Sequence, residues 1–180
     1  MAHPEFTLLG DAVWLDFVNS SRGRIPSPPD LLPDAGAYGR WARAEQLEPD
    51  DDANFALVRT FREQLTAVAE ALHAGIQPPG SAIAAINGRL ARCSGSHQLT
   101  RLSGGWRLRF APARSLQALE AIARSAAATL ADPAAIVRRC AGGPCSLFFI
   151  DHSPAQARRW CDAALCGQGT RVERRRGLVR

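Results

Sequence analysis

Cys140, Cys145, Cys161 and Cys166 are the residues of this chain whose type and spacing point most directly to chemistry. They form two Cys-x4-Cys pairs separated by fifteen residues. Two close thiolate pairs, each on a tight turn, are what a tetrahedral four-thiolate zinc site requires, with the insert folding back to join them. Gly142, Gly143 and Pro144 lie inside the first pair and Gly167 follows the second, so turn-forming residues sit where the turns are needed. Two other readings stand beside the metal. One is a pair of disulfides, which needs an oxidising compartment. The other is a chance cluster of buried free thiols. The opening Met1-Ala2-His3-Pro4-Glu5-Phe6 lacks the basic-then-apolar pattern of a signal peptide, and no run of eighteen apolar residues exists. A cytoplasmic protein without a membrane span is therefore expected, with one structural Zn²⁺ as its cofactor. His152 lies within the module but is not needed once four cysteines serve, and Cys93 stands apart with no chemistry assigned to it.

Charge points to a partner. All 22 basic residues are arginine, and the formal net charge is +5. Residues 138–180 carry nine arginines against Asp151, Asp162 and Glu173, a net of +6, while the rest of the chain is close to neutral. A basic metal module beside a neutral domain is a footprint of nucleic-acid binding, because the guanidinium fork matches phosphate. Arg158, Arg159, Arg171, Arg174, Arg175 and Arg176 are the candidate nucleic-acid-binding residues. The competing reading is a solvated arginine tail.

The elements that must position this module read as mainly helical, an α+β chain of 180 residues. A helix capped by Asp11 is expected to reach about Ser20, with Trp14, Phe17 and Val18 inward. A Pro- and Gly-rich loop follows over 22–29, then a helix started by Asp34 and carrying Tyr38 and Trp41. The longest helix is expected over 53–74, with Asp50, Asp51 and Asp52 at its positive end and Phe55, Val58, Phe61, Leu65, Val68 and Leu72 as its core stripe. A fourth helix is expected over 81–92. Residues 98–102 and 106–110 then read as a β-hairpin with one buried face, because Trp106, Leu108 and Phe110 alternate with Arg107 and Arg109. Helix returns over 114–131, and Asp132-Pro133 is expected to restart a short helix delivering Arg138, Arg139 and Cys140. An apolar strand over 146–151 and a capped turn or helix from Ser153 complete the module. The division is thus 1–137, a helical sensor-like domain, and 138–180, a zinc module. Trp14, Phe17, Tyr38, Phe61 and Trp106 are expected in the first domain's core. Asp16 and Asn19, three apart on one helix face, are candidate ligand-binding residues, although helix-end hydrogen bonding is the commoner role for such a pair.

The residues from Arg138-Arg139-Cys140-Ala141 through Cys145, Leu147-Phe148 and Asp151-x-Ser153 to Arg158-Arg159-Trp160-Cys161 and Cys166-Gly167 resemble the CGNR zinc-finger proteins with an N-terminal ABATE domain. Trp14-Leu15-Asp16-Phe17-Val18-Asn19-Ser20 is similar to that family's opening helix, and the resemblance spans nearly the whole chain. It implies a zinc-dependent DNA-binding transcription regulator, with DNA as partner and a small-molecule effector on the sensor domain. The naming tetrad Cys-Gly-Asn-Arg stands here as Cys166-Gly167-Gln168-Gly169, with arginine displaced to Arg171. The ligands carry over; the contacts of the family's Asn and Arg do not. The alternative is a ligand-binding or protein-interaction module in which zinc only stabilises the fold. Ser-His-Asp arrangements, phosphate loops, dinucleotide fingerprints and HExxH are missing, and a closed four-thiolate site has no open coordination position, so no enzymatic activity is expected. The oligomeric state is not legible.

Overall fold

The computed structural model describes residues 5–23, 29–50 and 54–167. Five helices, one long hairpin and one short strand pair follow in chain order: α1 (Val13–Asn19), α2 (Ala35–Ala44), α3 (Phe55–Ala74), α4 (Gly80–Leu90), β1 (Gly95–Leu102), β2 (Gly105–Pro112), α5 (Ala118–Ala131), β3 (Val137–Arg139) and β4 (Phe148–Ile150). No described helix is long and apolar enough to cross a membrane.

The helices begin and end for local reasons. Asp34 accepts a hydrogen bond from the Ala37 amide at 2.8 Å and caps α2. Gly75 takes a left-handed φ of 69° after α3, where a side chain would be strained. Gln117 and Glu120 form a reciprocal capping box on α5. Two expected caps are replaced. Ala12, not Asp11, precedes α1; Asp11 sits at φ 62° and turns its carboxylate towards Arg158. Asn54 caps α3 through the Ala56 amide, while Asp50 faces away, accepting from the Tyr38 hydroxyl at 2.6 Å and the Leu119 amide at 3.2 Å. Asp51 and Asp52 lie outside the described residues.

The apolar stripes meet in one core. Trp14, Phe17, Tyr38, Trp41, Phe61 and Leu65 are all buried there. Phe17 lies 5.3 Å from Trp41 between ring centroids, and the Trp14 indole N–H donates to the Thr129 hydroxyl at 2.9 Å. Among the described residues Arg62 is the one buried arginine. Its guanidinium forks onto Asp30 and also donates to the Ser20 hydroxyl at 2.9 Å. Burial raises the Asp30 carboxyl, but the Arg62 hydrogen bonds outweigh it and hold the group below its ordinary value.

Two expectations fail here. The β1–β2 hairpin is longer than its alternation implied and has no buried face: Leu99, Trp106 and Leu108 are exposed. Trp106 is therefore absent from the core, because no described element lies over the hairpin. The segment after Asp132-Pro133 is a strand, not a helix. β3 pairs antiparallel with β4, Val137 opposite Ile150 and Arg139 opposite Phe148. Pairing with an apolar strand and seating Val137 in the helical core prevail over local propensity. Val137, Phe148 and Ile150 belong to the same cluster as Trp14 and Phe61, so the cysteine module rests on the helical core itself.

Candidate metal centre

Cys140 follows β3, Cys145 precedes β4, and Cys161 and Cys166 come from the segment that folds back over the strand pair. The first knuckle closes through the Cys145 amide on the Gly142 carbonyl at 2.7 Å and the Cys140 amide on the Leu147 carbonyl at 2.9 Å. A Cβ at Gly142 would stand 2.8 Å from the Cys166 Cβ, so only glycine lets the two knuckles approach this closely. The second pair is set by the Asp162 carboxylate accepting from the Leu165 amide at 2.7 Å, which starts the helical residues 163–167.

All four sulfur atoms lie within 4.8 Å of one another and all four residues are buried. The Cys145–Cys161 and Cys161–Cys166 sulfur separations are 3.8 and 3.7 Å. A Zn–S bond of about 2.3 Å in a tetrahedron places sulfurs about 3.8 Å apart. The spacing fits a metal bound by four thiolates and is far too long for a disulfide; all five cysteines are free. His152 is exposed and outside the cluster.

The electrostatics also call for a cation. Burial raises the Cys140 thiol, but the Cys161 and Gly142 amides donate to its sulfur, each at 3.4 Å, and bring it below its ordinary value. Burial pushes Cys145 up to about 11, with the Cys140 charge adding to the effect. Burial followed by the neighbouring Cys140 and Cys145 charges raises Cys161 further. One thiolate thus suppresses the next, and a divalent cation removes that conflict by neutralising several at once.

The surrounding shell is built from residues that serve the knuckles. Asp151 accepts from Arg138 Nε at 2.7 Å, from the Ser153 hydroxyl and amide, and from the Arg158 amide. These bonds overcome burial and hold its carboxyl down at about 2. Arg158 stacks its guanidinium 4.4 Å over the Phe149 ring and donates to the Trp160 and Cys161 carbonyls and to Asp11. It therefore faces inward as a staple. Arg159 is exposed, with its guanidinium 5.5 Å over Trp160. Arg171, Arg174, Arg175 and Arg176 lie outside the described residues, as do Gln168 and Gly169. The stretch from Ser153 is a turn, not a helix; Gln156 takes φ 47° and the Ser153 hydroxyl accepts from the Ala157 amide.

Asn19 and Asp16 both sit at the seam between helices and module. The Asn19 amide donates to the Phe148 carbonyl at 2.8 Å and accepts from the Phe148 amide at 2.9 Å. It takes the place of a neighbouring strand on the open edge of β4. Asp16 accepts from the Gly10 amide at 2.8 Å, and the Gly10 carbonyl accepts in turn from the Ile150 amide. Burial, reinforced by the Glu45 and Asp11 charges, raises the Asp16 carboxyl to about 7. The signal for this pairing was present in the sequence, since two polar residues interrupt an apolar helix face, but their partner strand is about 130 residues away.

A buried tetrahedron of thiols on two knuckles, seated on a helical core, defines a zinc-finger protein. Residues 11–133 match the ABATE family model, described as "Putative stress-induced transcription regulator", and residues 137–177 match the CGNR zinc finger. The chain belongs to the ABATE family and carries a C-terminal CGNR zinc finger. Comparison with the curated proteins gives no match.

Proposed function

We propose that this protein is a non-enzymatic, zinc-dependent DNA-binding transcription regulator. The observation that carries the reading is the concentration of nine arginines on residues 138–180, around and after a cysteine cluster with zinc-finger geometry. The zinc ion holds the knuckles, and the arginines after Cys166 grip phosphate. Arg158 holds the second knuckle from inside, and the exposed Arg159 is free to meet the DNA backbone. Because the tetrad lacks its Asn and Arg, binding is phosphate-led and discriminates weakly between sequences. The helical domain acts as the sensor. An open groove between α3 and α4, lined by Phe61, Leu57, Arg89 and Arg92, is where an effector would be sought; neither Asp16 nor Asn19 lines it.

Two measurements on the purified chain test this. Elemental analysis is expected to find one zinc per chain. DNA affinity is expected to fall with salt at a log–log slope of about −4 to −5, from roughly −0.9 per phosphate contact. Replacing Arg174, Arg175 and Arg176 with Ala flattens that slope by about 2–3 and weakens all sequences alike. Binding that ignores salt, or survives the triple change, favours the second reading. In that reading the zinc finger only supports a ligand-binding or protein-interaction module, as the inward use of Arg158 and the altered tetrad would allow.

A further inference from the structure

The β1–β2 hairpin is the feature that neither the metal centre nor the sensor reading uses. An antiparallel sheet ordinarily covers one face and solvates the other. The side-chain alternation obeys that rule. Gln98, Thr100, Arg107 and Arg109 share one face; His97, Leu99, Arg101, Trp106, Leu108 and Phe110 share the other. Yet on the apolar face Leu99 and Trp106 are 67% exposed and Leu108 is 62% exposed. A two-stranded ribbon without cover is marginal in water, and apolar patches of this kind mark interaction sites.

We infer that the apolar face of this hairpin is a homodimer interface, packed against the same face of a second copy. The charge pattern selects this occupant. Residues 95–112 contain no acid, and the cations Arg107 and Arg109 lie on the opposite face. Arg101, the one arginine on the apolar face, is held 5.9 Å over the Trp106 ring. Apart from Arg101 and His97 the face is apolar and it carries no acid, so it asks for an apolar surface, such as its own leucine and aromatic residues. Its pattern is also self-complementary. The Leu99–Leu108 pair lies midway between Arg101–Trp106 and His97–Phe110, each of the latter a nitrogen-bearing side chain beside an aromatic. A two-fold axis through the leucine pair sets leucine on leucine. It also brings Trp106 of each copy over Phe110 of the other, an aromatic pairing, with Arg101 beside His97.

The area is sufficient. Eight residues per strand give a ribbon about 27 Å long and about 10 Å wide. Face-to-face pairing removes on the order of 500–1,000 Å² in total, the size of a weak, concentration-dependent dimer. Arg107 and Arg109 of both copies then point outward, so like charges do not meet across the interface. This inference stands whether or not the protein binds DNA.

Sedimentation of the full zinc-bound chain without DNA, over about 1 to 100 µM, tests it. A mass twice 19.4 kDa is expected in the upper part of that range. Leu108→Glu and Leu99→Glu, each burying a like charge on both copies, raise the dimer dissociation constant by at least about 100-fold. Arg107→Glu, on the outer face, leaves it within about three-fold. Unchanged helical circular dichroism and zinc content in the glutamate variants distinguish a broken interface from a broken fold. A wild-type protein monomeric throughout overturns the inference. So does a dimer that tolerates both glutamates, or one that forms only when DNA is added.

Discussion

The two β ribbons of this protein show that strand length does not decide what is well held. β1 and β2 run eight residues each, and most of their side chains are exposed, none fully buried. β3 and β4 run three residues each, and every residue of β4 is buried. The short pair is held from three sides: by the helical core through Val137 and Ile150, by the Asn19 amide along its open edge, and by the cysteine cluster through Phe149. The long pair has its ladder and little else. What differs is cover, and the cover of the short ribbon comes from both ends of the chain. Leu9 packs on the cysteine cluster, and the Gly10 and Gly23 carbonyls accept from the Ile150 and Ser146 amides.

The comparison breaks most sharply at the metal. Structural zinc contributes on the order of 10–16 kcal/mol in small finger peptides. Cys161→Ser is expected to lose zinc and to open β3 and β4 to amide hydrogen exchange. Because these strands share the core of α1 and α3, the melting temperature of the helical part falls as well. Full exchange protection of Phe148–Ile150 in zinc-free protein would show that core contacts alone suffice.

A smaller effect follows at the seam. Asn19→Ala leaves the buried Phe148 amide and carbonyl without their partner, at a cost of about 2–6 kcal/mol, one to three for each orphaned group. Denaturant melts of the zinc-bound protein read this directly. A change under half a kcal/mol would mean that the edge of β4 finds other partners.

Asp16 sharpens the same contrast through pH. Its folded value of about 7 lies above its ordinary 3.8, so the fold binds a proton that the unfolded chain releases. Stability from this group is fully present below about pH 4 and is lost as pH rises through about 7. Asp16→Asn keeps an oxygen for the Gly10 amide and removes the titration. The variant is expected to gain on the wild type by about 2 kcal/mol or less between pH 5 and pH 8. Glu45, also raised to about 7 by burial, keeps part of the slope in the variant. Parallel pH profiles for the two proteins would place the slope elsewhere.

The smallest effect belongs to the long ribbon's outer face. Arg107 is exposed and stands opposite Thr100, so Arg107→Ala is expected to move thermal stability by less than about 0.5 kcal/mol. A larger loss, measured by thermal melts, would reveal a contact on that face.

What the sequence determined by itself is whatever rests on local spacing. The Cys-x4-Cys pairs, the Asp34 cap, the Gly75 stop and the core stripe of α3 are each set within a turn or two of chain. Such features are legible because hydrogen-bonding and turn geometry act between near neighbours. Tertiary structure decided the rest. Alternation in residues 106–110 gave the hairpin its faces but could not say that neither would be covered. Val137 became a strand because Ile150 waits opposite it. Arg158, one of a run of cations in the sequence, became a staple because Phe149, Asp11 and the Cys161 carbonyl converge on it. Asn19 became the edge partner of a strand about 130 residues away. In each case the deciding group lies across a turn or on another element, and periodicity carries no information about what will lie across a side chain in space.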